Sequence, residues 1–233
     1  MFRWNSRILY SQLGPDSALS LPALLDLFQN AATLHAEDKG AGLEYLYSLH
    51  RAWLLSRWRV RLGELPRSGQ TVTVRTRAYE CRRALNRRAF VLEDSRGRLL
   101  AQADSLWTLV DTDTGAPADA SVIVRPYYTP GPGPDLGDLP RKVQTPAQAE
   151  EGPAFSITSD LLDTNRHVNN VRSVALAMRF LPEDVSFSAL AADYHHPLLP
   201  HDQVTPLLAS TDRGFAVVLR AGGRDCVSVE FIR

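Results

Sequence analysis

Residues 160–171 read DLLDTNRHVNNV, and they place a carboxylate, an amide and an imidazole at alternate positions before an apolar-periodic segment. These side chains are Asp163, Asn165 and His167. In an extended segment alternate side chains point the same way, so we expect all three on one side of the chain. On a helix Asn165 would turn away from the other two. The spacing therefore predicts an extended loop that delivers three polar groups to one point.

A helix is predicted directly after this loop, over about residues 168–180. Its apolar stripe consists of Val168, Val171, Ala175 and Met178. Asn169 and Asn170 are expected to cap the helix rather than to react. Unpaired N–H groups at the start of a helix favour negative charge. A base for water, groups that orient the water and donors for an oxyanion together suit the hydrolysis of an ester-like bond.

The whole chain repeats one order of elements, namely a strand, a helix and then antiparallel strands. The first helix follows a strand at 2–10, begins after the cap Ser20 and ends at Gly40 and Gly42. Further strands are predicted at about 51–62, 71–82, 86–94, 98–110, 154–158, 187–194, 203–210, 214–221 and 225–232. This pattern predicts an α+β fold, the tandem or double hotdog, in which each long helix is wrapped by a curved antiparallel sheet.

Two features refine this organisation. Prolines and glycines predict a linker over 126–153, between an N-terminal hotdog at 1–125 that shapes the pocket and a C-terminal hotdog at 154–233 that carries the catalytic loop. Sliding the halves by about 147 positions places Asp16 on Asp163, with Ala18 opposite Asn165 and Ser20 opposite His167. One half would then carry the chemistry.

Alternation within residues 51–62 predicts one wet face and one packed face of a strand. Arg57, Arg59 and Arg61 alternate there with apolar side chains. The arginines are therefore expected to face solvent.

The bulk composition favours a cytoplasmic enzyme or binding protein. The formal net charge of +0 gives no global attraction to nucleic acid. No apolar run approaches the roughly 18 residues of a membrane span, and the N-terminus lacks a signal-peptide pattern. Cys81 and Cys226 have no disulfide or metal spacing, so we expect two reduced structural thiols.

Residues 163–170, DTNRHVNN, closely resemble the Asp-x-Asn-x-His-Val-Asn-Asn signature of the acyl-ACP thioesterases of bacteria and plant plastids. Residues 24–42, 53–57, 66–69 and 105–107 match further landmarks of that family, so the resemblance covers nearly the whole chain apart from the linker. It implies a double hotdog that hydrolyses the thioester between a fatty acyl chain and the phosphopantetheine arm of acyl carrier protein, in fatty acid biosynthesis. No metal or cofactor is implied, and a homodimer is left open.

One departure from the family concerns the strand after the second helix. The family commonly has Tyr-x-x-Glu-x-x-x-Gly-Asp there, whereas residues 194–202 read YHHPLLPHD. Pro197 stands where the resemblance implies a Glu that takes part in activating water, and proline cannot do acid–base work. A catalytically weak or inactive acyl-binding homologue and an acyl-CoA thioesterase are therefore the alternative readings.

Without that Glu, Asp163 is the best remaining candidate for the base. Asn165 would position the water or the thioester carbonyl, and His167 would orient its partners or donate to the oxyanion. The structural alternatives are a loop Asp that caps a turn and an Asn in a left-handed turn.

Further candidates have weaker support. His195 or His196 is an alternative candidate for the base, although both could be surface residues. These two histidines could also form a metal site with His201, but their spacing does not match that of known metal ligands. An arginine cluster could contact an acidic carrier protein or form a solvated hairpin; it consists of Arg82, Arg83, Arg87 and Arg88. Four apolar residues could line an acyl tunnel or belong to the core, namely Leu24, Phe28, Trp53 and Trp107.

Overall fold

The long helix of the first half begins and ends at the predicted signals. In a computed structural model, which describes residues 1–183 and 185–233, this helix is α1, Leu21–Glu37. The Ser20 hydroxyl accepts a hydrogen bond from the Ala23 N–H at 3.3 Å, and Pro22 lies in the first turn, where its missing N–H is harmless. Gly40 follows the helix with a φ of 69°, a conformation that favours glycine.

Ten strands of the described chain lie at or near the predicted ranges, whereas β6 lies within 126–153, where no strand was expected. They are β1 Phe2–Arg7, β2 Arg51–Leu62, β3 Thr71–Arg82, β4 Leu85–Asp94, β5 Leu99–Asp111, β6 Glu150–Glu151, β7 Phe155–Ser156, β8 Ala189–Tyr194, β9 Gln203–Thr211, β10 Gly214–Ala221 and β11 Arg224–Ile232. The other helices are α2 Leu43–Ser48, α3 Ser121–Val124 and α4 Asn170–Met178. Neither α2 nor α3 is predicted from the sequence. The strand predicted over 2–10 ends at Arg7, and a 3₁₀ turn at Tyr10–Gln12 follows it.

The chain divides into two units. The first unit comprises Met1–Ser56 and Val60–Gly137, and its strands lie in the order β1-β3-β4-β5-β2. In β3 the alternate residues Val72, Val74 and Thr76 are buried, and α1 packs against this strand. Alternating burial places one face of the sheet against the helix.

The second unit comprises Arg57–Arg59 and Asp138–Arg233. Its strands lie in the order β8-β11-β10-β9-β6, with β7 also paired to β9, and α4 packs against β10 and β11. The registers between neighbouring strands of this unit are antiparallel. Each unit is therefore a helix against an antiparallel sheet, and the α+β class is confirmed.

The apolar stripe of α4 differs in part from the predicted one. Val168 and Val171 are buried as expected, whereas Ala175 and Met178 are only partly buried. The helix instead buries Val174, Leu176 and Ala177. The prediction for Ala175 and Met178 is wrong, because the buried face of α4 is centred on Val174 and Ala177 and both residues lie at its edge.

The internal repeat is visible in the loops that precede α1 and α4, but its offset is 149 residues. The Gly14 N–H donates to the Ala18 carbonyl at 2.8 Å, and the Asp163 N–H donates to the His167 carbonyl at the same distance. Ser17 has a φ of 62° at the position where Arg166 has 58°. The predicted offset of 147 is wrong, because Gly14 corresponds to Asp163 and Ala18 to His167.

Arg59 of β2 is buried, so the prediction of a wet arginine face is wrong for this residue. Its Nη2 lies 2.8 Å from Asp193 Oδ1, and its Nη1 donates to the Ala192 carbonyl at 3.0 Å. It also donates to the backbone carbonyls of Pro140 and Arg141. Burial of this charge is tolerated because a carboxylate and several carbonyls surround it.

Residues of the Pro/Gly-rich segment belong to both units. Those up to Gly137 lie with the first unit, and those from Asp138 lie with the second, where the Val143 N–H donates to Asp193 Oδ2 at 2.7 Å. The role of 126–153 as a linker and the predicted domain bounds stay predictions. No helix in the described part of the chain is long and apolar enough to cross a bilayer.

Candidate active site

The loop from Asp163 to His167 is a closed turn, so the prediction of an extended loop is wrong. The Asp163 N–H donates to the His167 carbonyl at 2.8 Å, and the Arg166 N–H donates to the Asp163 carbonyl at 3.0 Å. Arg166 adopts a left-handed φ of 58°. The turn is favoured over an extended loop because it lets the N–H and C=O groups of the loop form hydrogen bonds with one another.

The Asp163 carboxylate helps to close this turn. Its Oδ1 accepts a hydrogen bond from the Asn165 N–H at 2.8 Å and another from the His167 N–H at 3.2 Å. The structural alternative for Asp163, a loop Asp that caps a turn, is therefore realised. Asp163 Oδ2 makes no hydrogen bond with the described residues, and it remains available to a water molecule.

The three candidate side chains differ in exposure. Asp163 and His167 are partly buried, whereas Asn165 is exposed. Within residues 1–183 and 185–233 no hydrogen bond joins the three side chains to one another. The turn links the three residues through the backbone, because the Asp163 carboxylate accepts hydrogen bonds from the N–H groups of the other two.

The start of α4 lies immediately after the turn. Asn169 is the cap, as predicted, since its side-chain oxygen accepts a hydrogen bond from the Val171 N–H at 2.8 Å. Asn170 is the first helical residue, and its carbonyl accepts a hydrogen bond from the Tyr194 hydroxyl at 2.9 Å. Burial and the neighbouring Asp193 raise the pKa of Tyr194, so this hydroxyl keeps its proton as a donor.

Pro197 lies in a segment that is bonded directly to the candidate loop. The Val168 N–H, one residue after His167, donates to the Leu198 carbonyl at 2.9 Å. Together with the contact from Tyr194, this bond fixes the segment at both sides of Pro197. The side chain expected to be a Glu would therefore be held close to the loop, and Pro197 is exposed there.

The neighbouring histidines follow β8 and are exposed. His195 Nε2 lies 3.3 Å from the Ser228 hydroxyl, and burial of part of its ring lowers the pKa of His195. His201 occupies a left-handed turn with a φ of 68°. Among the described residues no group of three or more His, Cys, Asp or Glu side chains could hold a metal ion.

The arginine cluster does not form one exposed patch. Arg88 is buried, with its Nη1 3.2 Å from His35 Nδ1 and its guanidinium over the Tyr127 ring. Arg87 forms an ion pair with Asp104, and Arg82 forms one with Glu80. Neither the docking prediction nor the solvated-hairpin alternative applies to Arg88, because this arginine faces the core of the first unit.

The four apolar candidates divide between core and partly exposed positions. Leu24 and Phe28 are fully buried, and the Phe28 ring stacks on Phe90 with centroids 5.1 Å apart. Trp53 and Trp107 are partly buried. The lining of an acyl tunnel stays a prediction for all four. Cys81 and Cys226 are free thiols.

Comparisons with known proteins agree with the signature. The family described as "Acyl-ACP thioesterase N-terminal domain" matches residues 1–122. A palmitoyl-acyl carrier protein thioesterase of Cuphea hookeriana is 25% identical over 202 residues, which is 79% of this chain and 48% of that protein. An oleoyl-acyl carrier protein thioesterase of Arabidopsis thaliana is 24% identical over 223 residues, 86% of this chain and 61% of that protein.

Solved structures show the same fold. An acyl-ACP thioesterase from Bacteroides thetaiotaomicron superimposes with a TM-score of 0.88 at 20% identity, covering 99% of this chain and 96% of that one. The 12:0-ACP thioesterase from Umbellularia californica gives 0.84 at 22% identity, with the same coverage.

This chain belongs to the acyl-ACP thioesterase family, and the resemblance seen in the sequence is confirmed. It spans about half the length of the first curated relatives that it matches.

Proposed function

We propose that this protein hydrolyses the thioester of acyl-acyl carrier protein and releases a free fatty acid. The observation that carries the proposal is the placement of the family signature, residues 163–170, in a closed turn at the start of α4. We further propose that the two units are a tandem hotdog, in which only the second turn carries the chemistry. A cytoplasmic location and a homodimer stay predictions.

The proposed catalytic residues are Asp163, Asn165 and His167. Water is a poor nucleophile toward a thioester, so a base must take its proton. Asp163 Oδ2 has no partner among the described residues, while Oδ1 holds the turn through two backbone N–H groups. One carboxylate therefore positions the other two residues and presents a second oxygen to water.

Asn165 and His167 would act on the thioester itself. The Asn165 amide can orient the water or the carbonyl, and the His167 imidazole can donate to the developing oxyanion. Removing one oxyanion donor typically costs about 3 kcal/mol of transition-state stabilisation. No cofactor is part of this proposal.

The first turn supplies a matched control for testing Asp163. Asp16 also accepts a backbone hydrogen bond, from the Ala18 N–H at 3.1 Å, but it lies in the turn without an imidazole. An Asp163→Asn variant keeps an oxygen that can accept from the turn and removes the negative charge. We expect its kcat for acyl-acyl carrier protein to fall by about 10²-fold or more, which is the rate contribution typical of a general base. Asp16→Asn should leave kcat within about twofold.

The assay measures free thiol released from acyl-carrier protein and acyl-CoA panels, with His167→Ala beside the Asp163 variant. Circular dichroism and thermal unfolding would show that each variant is folded. Loss of activity in both variants, with Asp16→Asn unaffected, supports hydrolysis at this turn. Full activity in Asp163→Asn would refute the assignment of Asp163 as the base.

A second candidate function is acyl binding without efficient turnover. Pro197 favours it, because this proline stands beside the loop where the family resemblance implies a Glu. Equal background rates from the wild type and both variants would support acyl binding. A gain in rate by Pro197→Glu would show that the missing carboxylate limits catalysis.

A further inference from the structure

The second unit contains an open groove with a volume of about 780 Å³. Three segments surround it, namely the stretch 142–145, the residues after β8 and the turn between β10 and β11. The lining residues used below are Lys142, Thr145, His195, His196, Arg220, Arg224 and Asp225.

The charge of the groove is mainly positive. Asp225 is its carboxylate, and it accepts hydrogen bonds from Arg220 Nε and from the Thr145 hydroxyl, both at 2.7 Å. These donors hold the pKa of Asp225 below its usual range, so it stays ionised and neutralises Arg220. Neither Lys142 nor Arg224 forms an ion pair within the described chain. The groove therefore has two cationic side chains ready for an anion.

Backbone hydrogen bonds fix the walls of the groove. The Val143 N–H, next to Lys142, donates to the buried Asp193 carboxylate at 2.7 Å. The His195 and His196 N–H groups donate to the Cys226 carbonyl at 2.8 Å and 3.2 Å. The three segments are thereby held before a ligand arrives, which lowers the entropic cost of binding.

The groove lies close to the candidate active site along the chain. His195 precedes Leu198 by three residues, and the Leu198 carbonyl binds the Val168 N–H directly after His167. Three residues of extended chain span at most about 10 Å. A ligand held in the groove could therefore extend a flexible arm to the turn at Asp163.

We propose that this groove binds the phosphate of the phosphopantetheine arm of acyl carrier protein, through Lys142 and Arg224. Lys supplies a compact charge and Arg a planar fork, and both recognise phosphate oxygens. The thioester lies at the other end of this arm, so the groove would hold the arm while the acyl end reaches the turn. The identity of the partner rests on the proposed function.

Binding measurements test the groove without requiring turnover. Fluorescence anisotropy would compare an acyl carrier protein carrying the arm with the same protein lacking it. We expect the wild type to bind the armed form more tightly, and the Lys142→Ala/Arg224→Ala double variant to lose about tenfold in affinity for that form alone. Arg213→Ala, a control in the turn that precedes β10, should match the wild type.

Kinetics give a second readout. Against an acyl-pantetheine substrate without phosphate, the double variant should keep the wild-type KM, and against acyl-carrier protein its KM should rise with kcat unchanged. Equal affinity of the wild type for the armed and unarmed carriers, or a double variant that keeps the full difference, would overturn the proposal. The proposal would also be overturned if the double variant lost affinity for coenzyme A but not for the armed carrier protein. Coenzyme A would then be the ligand of the groove.

The outcomes for the groove and for the proposed function are distinguishable. If the wild type binds the carrier protein more tightly with the arm than without it, but hydrolyses no thioester, the proposed phosphate site is supported and the proposed hydrolase function is refuted. If the wild type and the double variant hydrolyse the thioester of acyl-acyl carrier protein with the same kcat and KM, the proposed hydrolase function is supported and the proposed phosphate site is refuted.

Discussion

Asp163 combines a structural and a proposed chemical role in one side chain. Its Oδ1 accepts the N–H groups of Asn165 and His167, so the conformation of the turn depends on the residue assigned as the base. Replacement by alanine would remove both roles and could not separate them. The asparagine variant separates them because its amide oxygen can still accept those hydrogen bonds.

His35 is expected to make the stability of the folded protein depend on pH. Its ring is buried near the end of α1, stacks on Phe2 and faces Arg88. Burial, then the charges of Arg88, the N-terminus and Lys39, lower the pKa of His35 from 6.5 to about 4. The folded state therefore resists protonation that the unfolded state accepts.

We expect the stability contributed by neutral His35 to be complete above pH 6.5 and to be lost as pH falls toward 4. The loss would reach about 3 kcal/mol, since each pKa unit corresponds to about 1.4 kcal/mol. Urea unfolding at a series of pH values measures it. His35→Gln should flatten the pH dependence in this window, whereas His196→Gln, at an exposed site, should not. Identical slopes for the wild type and His35→Gln would contradict the prediction.

Most helices and strands can be predicted from the local pattern of apolar residues and turn signals. β2 and β3 begin and end at the predicted residues, because alternating apolar side chains and flanking turn signals are local properties. The same reasoning found α1 and the cap of α4. It missed α2, which has six residues and exposes Leu43, Tyr45 and Tyr47, so no clear amphipathic stripe marks it.

Features that depend on distant partners were not predictable from the sequence. Arg59 is buried because Asp193 lies against it, and 134 positions separate the two residues. Side-chain spacing predicts an extended loop at Asp163, because spacing alone does not reveal the backbone hydrogen bonds that close the turn. Arg220 and Arg224 flank the turn between β10 and β11, whereas Lys142 comes from a distant segment, and no local motif connects it to them.

Asp193 is expected to hold the segment after residue 137 against β8 within the second unit. Its carboxylate contacts Arg57 Nε at 3.1 Å, Arg59 Nη2 at 2.8 Å and the Val143 N–H at 2.7 Å. Asp193→Ala would leave the buried Arg59 charge without its partner, so we expect a loss of about 3–5 kcal/mol in unfolding free energy. Asp193→Asn keeps an acceptor for Val143 and should lose less.

Chemical denaturation measures both variants. Glu64→Ala is the matched control, because its ion pair with Arg98 is exposed and is expected to change stability little. A loss for Asp193→Ala no larger than for the control would show that the buried pair does not hold this segment.

At the scale of the whole molecule, the charges cancel. The chain has 26 Lys and Arg residues and 26 Asp and Glu residues, so its net charge cannot attract an acidic carrier protein from a distance. Any salt dependence of carrier recognition must then come from local groups. The groove at Lys142 and Arg224 is the local group that we propose.

We therefore expect kcat/KM for acyl-carrier protein to fall as ionic strength rises, because the screening length shortens from about 10 Å at 0.1 M to about 3 Å at 1 M. An uncharged acyl-pantetheine substrate should show no such fall. The Lys142→Ala/Arg224→Ala variant should have a lower rate at low salt and a flatter salt dependence, meeting the wild type at high salt, where exposed charges are screened. Steady-state kinetics over a salt series, with Arg213→Ala as the control, measure this convergence. Parallel curves for the wild type and the double variant would place the electrostatic contact with the carrier on a different surface.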